Sequence, residues 1–283
     1  MKLIKLLRFD LTNGLLKKPQ LYLYPVLVAF IACIDMLNRV SYMNEFGHTN
    51  GFIQAGFQDY LMYIYGGMDK YIPEPGNPFI FPVRWMVVFL SISFFTLNYP
   101  YKDMQHIGQQ ILIRSENRST WWLSKCIWCA SSTLVYHILL FTSTVVFVIL
   151  VEGRFSGAID KDLLYVVFQV DLKSIQQTET PWPLTMLFLP VLVSLCLNLF
   201  QMTLSLYIKP IFSFFSIALI LVSSAYFTSS YFVGNYAMPI RYDPVINGGV
   251  SILAGYFVIS VIGVLSVICG VISFNNYDII NVD

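Results

Sequence analysis

The chain has 283 residues, of which 57% are hydrophobic and only 12% charged, and its formal net charge is +1. Soluble domains carry about 25% charged residues, and one water-soluble core cannot cover this much apolar surface. Composition therefore excludes an ordinary soluble domain and predicts a chain that lives in a bilayer, with no nucleic-acid partner.

From Lys2 to Lys18, Ile4, Leu7, Leu11 and Leu15 fall on one face at helical spacing, with Lys2, Lys5 and Arg8 to one side. Leu6, Phe9 and Leu16 depart from that pattern. Lys5, Arg8, Asp10 and Asn13 interrupt the apolar run and no small-residue cleavage site follows, which argues against a signal peptide. The segment predicts a helix lying on the membrane, stopped by Pro19.

A bilayer core of about 30 Å needs about 20 mostly apolar residues per helix. Six stretches come close: Leu21–Leu37, Phe79–Leu97, Cys126–Val151, Leu184–Ile208, Ile211–Val233 and Val250–Phe274. Continuous runs such as Ile217–Phe227 favour helices over the ten-residue alternation of a membrane barrel. The fold class expected is all-α: a single polytopic transmembrane domain over 1–283 with six spans. Arg84, Pro78 and Pro82 lie near the start of the second span, which survives if Arg84 snorkels to the interface.

Two connecting loops are long. Residues 39–81 contain an aromatic stretch, Phe52–Gly67, with the pattern of a short interfacial helix, followed by the proline-rich Ile72–Pro78. Residues 152–183 carry an apolar strip, Leu163–Val170, between acidic flanks. Both fit a small external cap; the alternative is that their aromatics only line the membrane interface.

Lysine and arginine set the orientation. With the N-terminus inside, the inner segments hold ten cations against five acids and the outer segments seven against eleven. This matches the positive-inside tendency and predicts both termini and Pro100–Lys125 in the cytoplasm. The sequon Asn117-Arg118-Ser119 then lies inside, where it is not glycosylated.

Catalytic motifs are missing: there is no G-x-x-x-x-G-K-[ST], no H-E-x-x-H and no glycine-rich dinucleotide turn. The chain has no means of hydrolysing ATP itself, and no cofactor or metal is expected. His48, His106 and His137 are scattered; His137, inside a span, reads as a proton relay or as a packed histidine bonded to a neighbouring helix. Cys126 and Cys129 form a C-x-x-C at the start of a span, and all five cysteines read as small buried hydrophobes. Asp35 and Arg39, four apart, are expected to pair at the outer end of the first span. No charge sits at mid-span to bind a coupling ion, and polar clusters such as Asn198, Gln201, Thr203 and Ser205 either line a route or glue helices together.

Pro100–Lys125 is the segment most like a working part. Met104, Ile107, Ile111 and Leu112 give an apolar edge at near-helical spacing, with Lys102, Asp103, Gln105 and Gln109 beside it, suited to a protein groove or to the membrane surface. Arg114 and Arg118 share a face one turn apart, able to meet acidic side chains or lipid phosphates, and Trp121 and Trp122 are expected at headgroup level as interfacial anchors of the third span.

With its entrance helix, six spans, long first outer loop and this inner connection, the chain resembles the transmembrane subunits of ATP-binding-cassette exporters of the type 2 permease class. The local text is similar too: Asp103 and Gly108 within KDMQHIGQQIL, then Arg114, Ser115 and Arg118, then Trp121–Lys125. The resemblance implies a coupling helix that docks on a separate ATPase subunit, with Asp103, Met104, Ile107, Gly108, Ile111, Arg114 and Arg118 as coupling residues. It also implies ATP and Mg on that partner, a second permease copy or sister permease, and export of an amphipathic substrate such as a hydrophobic or antimicrobial peptide or a drug. One departure is the short Gly234–Gly249 segment, where many relatives have a re-entrant helical pair. Alternative readings are a membrane immunity or sensor protein that binds a peptide outside, and an ATP-independent carrier or channel.

Overall fold

The computed structural model describes residues 2–46, 53–76, 78–105, 108–110, 112, 117–155, 161–168, 170 and 185–277. Ten α-helices of six or more residues follow in order among these: α1 Lys2–Asp10, α2 Gln20–Phe46, α3 Phe57–Tyr65, α4 Val83–Leu97, α5 Tyr99–Gln105, α6 Arg118–Leu150, α7 Lys161–Val166, α8 Thr185–Leu204, α9 Pro210–Tyr226 and α10 Ile252–Asn275. A π-helical stretch, Leu11–Leu16, continues α1, and 3-10 turns occupy Val233–Ala237 and Pro239–Arg241. Extended pairing among the described residues is confined to two isolated bridges, Gly56 with Arg154 and Tyr242 with Val250. Leu184 and the rest of 171–184 lie outside the described residues, as do His48 and His106.

Among the described residues, four helices are long and apolar enough to cross a membrane: α2, α6, the Leu187–Leu204 part of α8, and α10. The other two expected spans are helices but shorter ones. α4 has 15 residues and α9 has 17, roughly 22–26 Å at 1.5 Å per residue, against a core of about 30 Å. Proline explains the start of α4: Pro82 is its N-cap residue, and the chain ahead of a proline is pushed towards extended conformations. At the end of α9, Phe227 turns extended, and the carbonyls of Ser224 and Ala225 are taken by Arg241 rather than by a further helical turn.

The central helix is α8. Of its 18 most apolar residues 72% are buried, against 22%, 33% and 44% in the other three long helices, and it packs on α4, α6, α9 and α10. Its polar side chains hold the centre together. Asn198 accepts from Ser93 on α4 at 2.8 Å and donates to Thr133 on α6 at 3.0 Å, Gln201 donates to the Ser93 carbonyl at 3.0 Å, and Thr203 donates to the Ser266 carbonyl on α10 at 2.8 Å. These groups join helices across an apolar interior, where an unpaired amide would be costly.

The described parts of the long connections pack against the bundle at α3 and at Leu163, Leu164 and Val170. α3 is buried from Gln58 to Tyr65 and wedged among α2, α4 and α6, so its aromatics do not line a membrane surface. Its Gly56–Asp59 start is closed by the Asp59 carboxylate accepting from the Gly56 amide at 2.7 Å. Tyr65 reaches His137 on α6, with 2.7 Å between the hydroxyl and Nδ1; His137 is thus a packed, bonded histidine. In the second connection, Leu163, Leu164 and Val170 are buried in the same bundle. The expected Asp35–Arg39 pair is present at 3.3 Å. Arg84 does not simply snorkel: its guanidinium lies 3.3 Å from Asp35 and 3.8 Å from the centre of the Tyr63 ring. All five cysteines are free, but Cys269 is exposed, unlike the other four.

Candidate functional site

The end of the bundle that carries α5 holds a buried cluster of charge. Asp10 ends α1, Asp103 lies on α5 and Lys125 is in the second turn of α6. Their side chains are 1%, 7% and 1% exposed. Lys125 Nζ donates to Asp103 Oδ2 at 2.6 Å and makes a second, shorter bond to Asp10 Oδ1. Ser124 donates to Asp10 Oδ2 at 2.6 Å and Tyr99 donates to Asp10 Oδ1 at 3.0 Å. The ammonium also faces the rings of Tyr99 and Trp121 at 5.0 and 4.7 Å. Burial, and after it the charges of Asp10 and Asp103, push the Tyr99 phenol well above the ordinary tyrosine range, so it stays a donor.

Three segments far apart in sequence are thereby tied at one point. Buried ions are expensive unless paired and hydrogen-bonded; here each carboxylate keeps the ammonium, and Asp10 has two hydroxyl donors besides. The joint can carry force but offers no nucleophile–base pair for catalysis. Among the described residues no group of three or more His, Cys, Asp and Glu side chains is placed to hold a metal.

Neighbouring residues are small where the joint is tight. A Cβ on Gly14 would sit 2.4 Å from Trp128 Nε1 and 2.6 Å from the Tyr99 ring; one on Gly108 would sit 2.5 Å from both the Asp103 carbonyl oxygen and Oδ2. The face that α1 and the π-helical stretch after it turn inward includes Leu6, Asp10 and Gly14, spaced by four, whereas Ile4 and Leu16 are exposed. Leu6 and Asp10, which break the apolar pattern in the sequence, are the residues that dock the helix.

The residues singled out in Pro100–Lys125 divide three ways. Asp103 and Gly108 belong to the joint. Met104 is 3% exposed and packed in the chain's own core, as is Leu112 at 4%, so the apolar edge expected to face a partner is turned inward at those two positions. Ile107, Ile111 and Arg114 lie outside the described residues. Arg118 points elsewhere: it donates to the carbonyls of Asn275 at 3.1 Å and Tyr277 at 2.6 Å, closing the C-terminus of α10, where a cation meets the negative end of the helix dipole.

Trp121 and Trp122, expected as interfacial anchors, are turned into the bundle. Both are 1% exposed, and they stack on Phe274 of α10 at centroid distances of 4.7 and 5.5 Å. Gly270 makes room, since a Cβ there would come within 2.4 Å of Trp122 Nε1. A glycine one turn before an aromatic on a neighbouring span lets the backbone and indole meet, which a headgroup-level tryptophan does not need.

The opposite end is fastened by Arg241, which is 0% exposed. Its guanidinium donates to the carbonyls of Met68, Asp69, Ser224 and Ala225 at 2.6–3.0 Å and to the Asn235 side chain. It binds the chain after α3, the end of α9 and the first 3-10 turn to one another. Tyr99 and Arg241 did not stand out in the sequence, and Asp10, Ser124 and Lys125 figured there only as an interruption of the first helix and as part of the Trp121–Lys125 text, not as members of a site. The signals were faint: an acid in a basic amphipathic helix, a lysine at the mouth of a span, and an arginine in a Pro/Gly-bearing loop.

Comparison with curated proteins and with solved structures finds no match. A family model described as "Protein of unknown function (DUF2705)" matches residues 26–280, nearly the whole chain, and the chain belongs to that family.

Proposed function

We propose that this chain is the permease subunit of an ATP-binding-cassette exporter in the inner membrane. In this reading α2, α4, α6, α8, α9 and α10 provide six crossings, with both termini and the α5 end in the cytoplasm. A separate ATPase subunit, holding ATP and Mg, binds at α5 and the residues up to Arg118, and a second copy or sister permease completes the assembly. The substrate is amphipathic, of the class of hydrophobic or antimicrobial peptides and drugs.

The observation that supports this best is the joint at Lys125. A helix that a partner pushes must not be a loose loop, and α5 is held through Asp103 to α6 and, through the shared lysine, to α1. Movement of α5 would be passed to the long helix α6 and to the surface helix together, which is how a local push biases a two-state bundle. α4 and α9, too short to cross an undeformed bilayer alone, fit this reading if the protein thins the bilayer or shares the crossing with the chain packed at their ends.

The test is co-expression with the ATPase encoded beside it. The pair should co-purify, and charge placed at exposed Gln105 and Gln110 should release the ATPase without lowering the abundance of this chain. Inverted vesicles containing the pair should accumulate a hydrophobic peptide only with hydrolysable ATP. Binding of peptide without ATP-dependent accumulation would instead support a sensor or immunity protein.

A further inference from the structure

Beside the joint, a cavity of about 490 Å³ opens between the end of α1 and the α4–α5 corner, and Lys18 and Lys102 line it together with Asn98 and Phe95. A second, apolar groove of about 930 Å³ runs along α2 and α4, lined by Leu23, Leu27, Met86 and Leu90. The two share Gln20, Phe94 and Phe95. They form one crevice, cationic at the α5 end and apolar along the helices.

Among the described residues, the charge in it is not neutralised. Asp103 is the acid in the lining, and its carboxylate is engaged by Lys125. Lys18 and Lys102 are exposed and have no acid partner among the described residues. Lys17 donates to Asn13, also in the lining, at 2.9 Å and brings a third positive charge to the rim. Leu23 and Leu27 are 63% and 58% exposed, so the groove has an open apolar flank. Paired volumes of this size fall in the range that ordinarily takes a small molecule.

We propose that this crevice binds an anionic phospholipid, its phosphate between Lys18 and Lys102 and an acyl chain along the α2–α4 groove. The lysines lie where a surface helix meets two apolar helices, the level at which a headgroup sits and where clustered lysines attract anionic lipid. A neutral apolar occupant would leave the lysines unanswered, and a free anion would leave the groove empty. This inference does not rest on the transport reading, since it requires neither ATPase nor substrate.

The test is native mass spectrometry of the delipidated full chain titrated with phosphatidylglycerol, with phosphatidylcholine of identical acyl chains, and with glycerol 3-phosphate. Phosphatidylglycerol should bind about tenfold more tightly than phosphatidylcholine, and glycerol 3-phosphate far more weakly than either. Lys18→Gln with Lys102→Gln should abolish that preference, and Leu90→Trp, which fills the groove, should reduce binding of both lipids. Equal binding of the two lipids by the unaltered chain, or an unchanged preference in the lysine variant, would overturn the proposal. So would glycerol 3-phosphate binding as tightly as lipid, which marks a free-phosphate site, or efficient disulfide linkage of Leu27→Cys chains in membranes without bound lipid, which marks a surface covered by a second copy.

Discussion

Lys125 on α6 donates to Asp103 on α5 at 2.6 Å with both side chains almost wholly out of solvent, so the short helix and the long one move as a unit. The same ammonium bonds Asp10 at the end of α1. One lysine thus sets the geometry of the whole α5 end.

Removing it should be severe. Lys125→Met leaves two carboxylates buried without a counter-charge and is expected to cost about 3–5 kcal/mol, seen as a large fall in thermal stability in detergent and in membrane abundance. Adding Asp10→Asn and Asp103→Asn to that variant should recover much of the loss. If Lys125→Met alone unfolds as the unaltered chain does, the joint is not a buried ion cluster.

Gly270 and Trp122 should be coupled. Gly270→Ala places a methyl into the indole and is expected to cost about 1–3 kcal/mol, whereas Trp122→Phe with Gly270→Ala should cost less than the two single changes together. Additive losses in a thermal-unfolding cycle would mean that the two side chains do not meet.

Arg241→Ala strands several carbonyls that now receive charged hydrogen bonds, and a loss of at least about 3 kcal/mol is expected. Arg241→Lys should recover only part of it, because an ammonium has three donors and no planar fork to span three segments. Proteolysis after α3 and near the 3-10 turns should rise in both variants, and unchanged protection would remove Arg241 as the fastening.

Burial, and next its hydrogen bond to Asp35, push the Tyr63 phenol from 10.0 up to about 12. Between those values the unfolded chain has released this proton and the folded chain has kept it, so the stability from the neutral phenol is full below pH 10 and falls as pH rises towards 12. Tyr63→Phe should flatten that part of the stability–pH curve. A curve identical to that of the unaltered chain would show that Tyr63 ionises freely.

The orientation can be read with an impermeant maleimide on single cysteines in a cysteine-free chain. Glu74→Cys should label in intact cells, and Lys17→Cys only after permeabilisation. The reverse pattern would invert the proposed topology.

Composition and run length alone determined that this is a helical chain with membrane-length apolar helices, because about 20 apolar residues in a row have few other places to go. They also located all six main helices and the Asp35–Arg39 pair, which are local along the chain. What depended on tertiary structure is which polar residue meets which. Asp10 and Lys125 are separated by more than a hundred positions, and the sequence offers no spacing that links them. Trp121 and Trp122 have the composition of interfacial anchors, and only Phe274, with the space left for Trp122 by Gly270 on the same helix, turns them inward. The ends of α4 and α9 were likewise set from outside the helices, by a proline-bearing approach and by a guanidinium arriving from a later loop. Local patterns fix an element because its hydrogen bonds close within a few residues; a buried charge is fixed only when the fold delivers its partner.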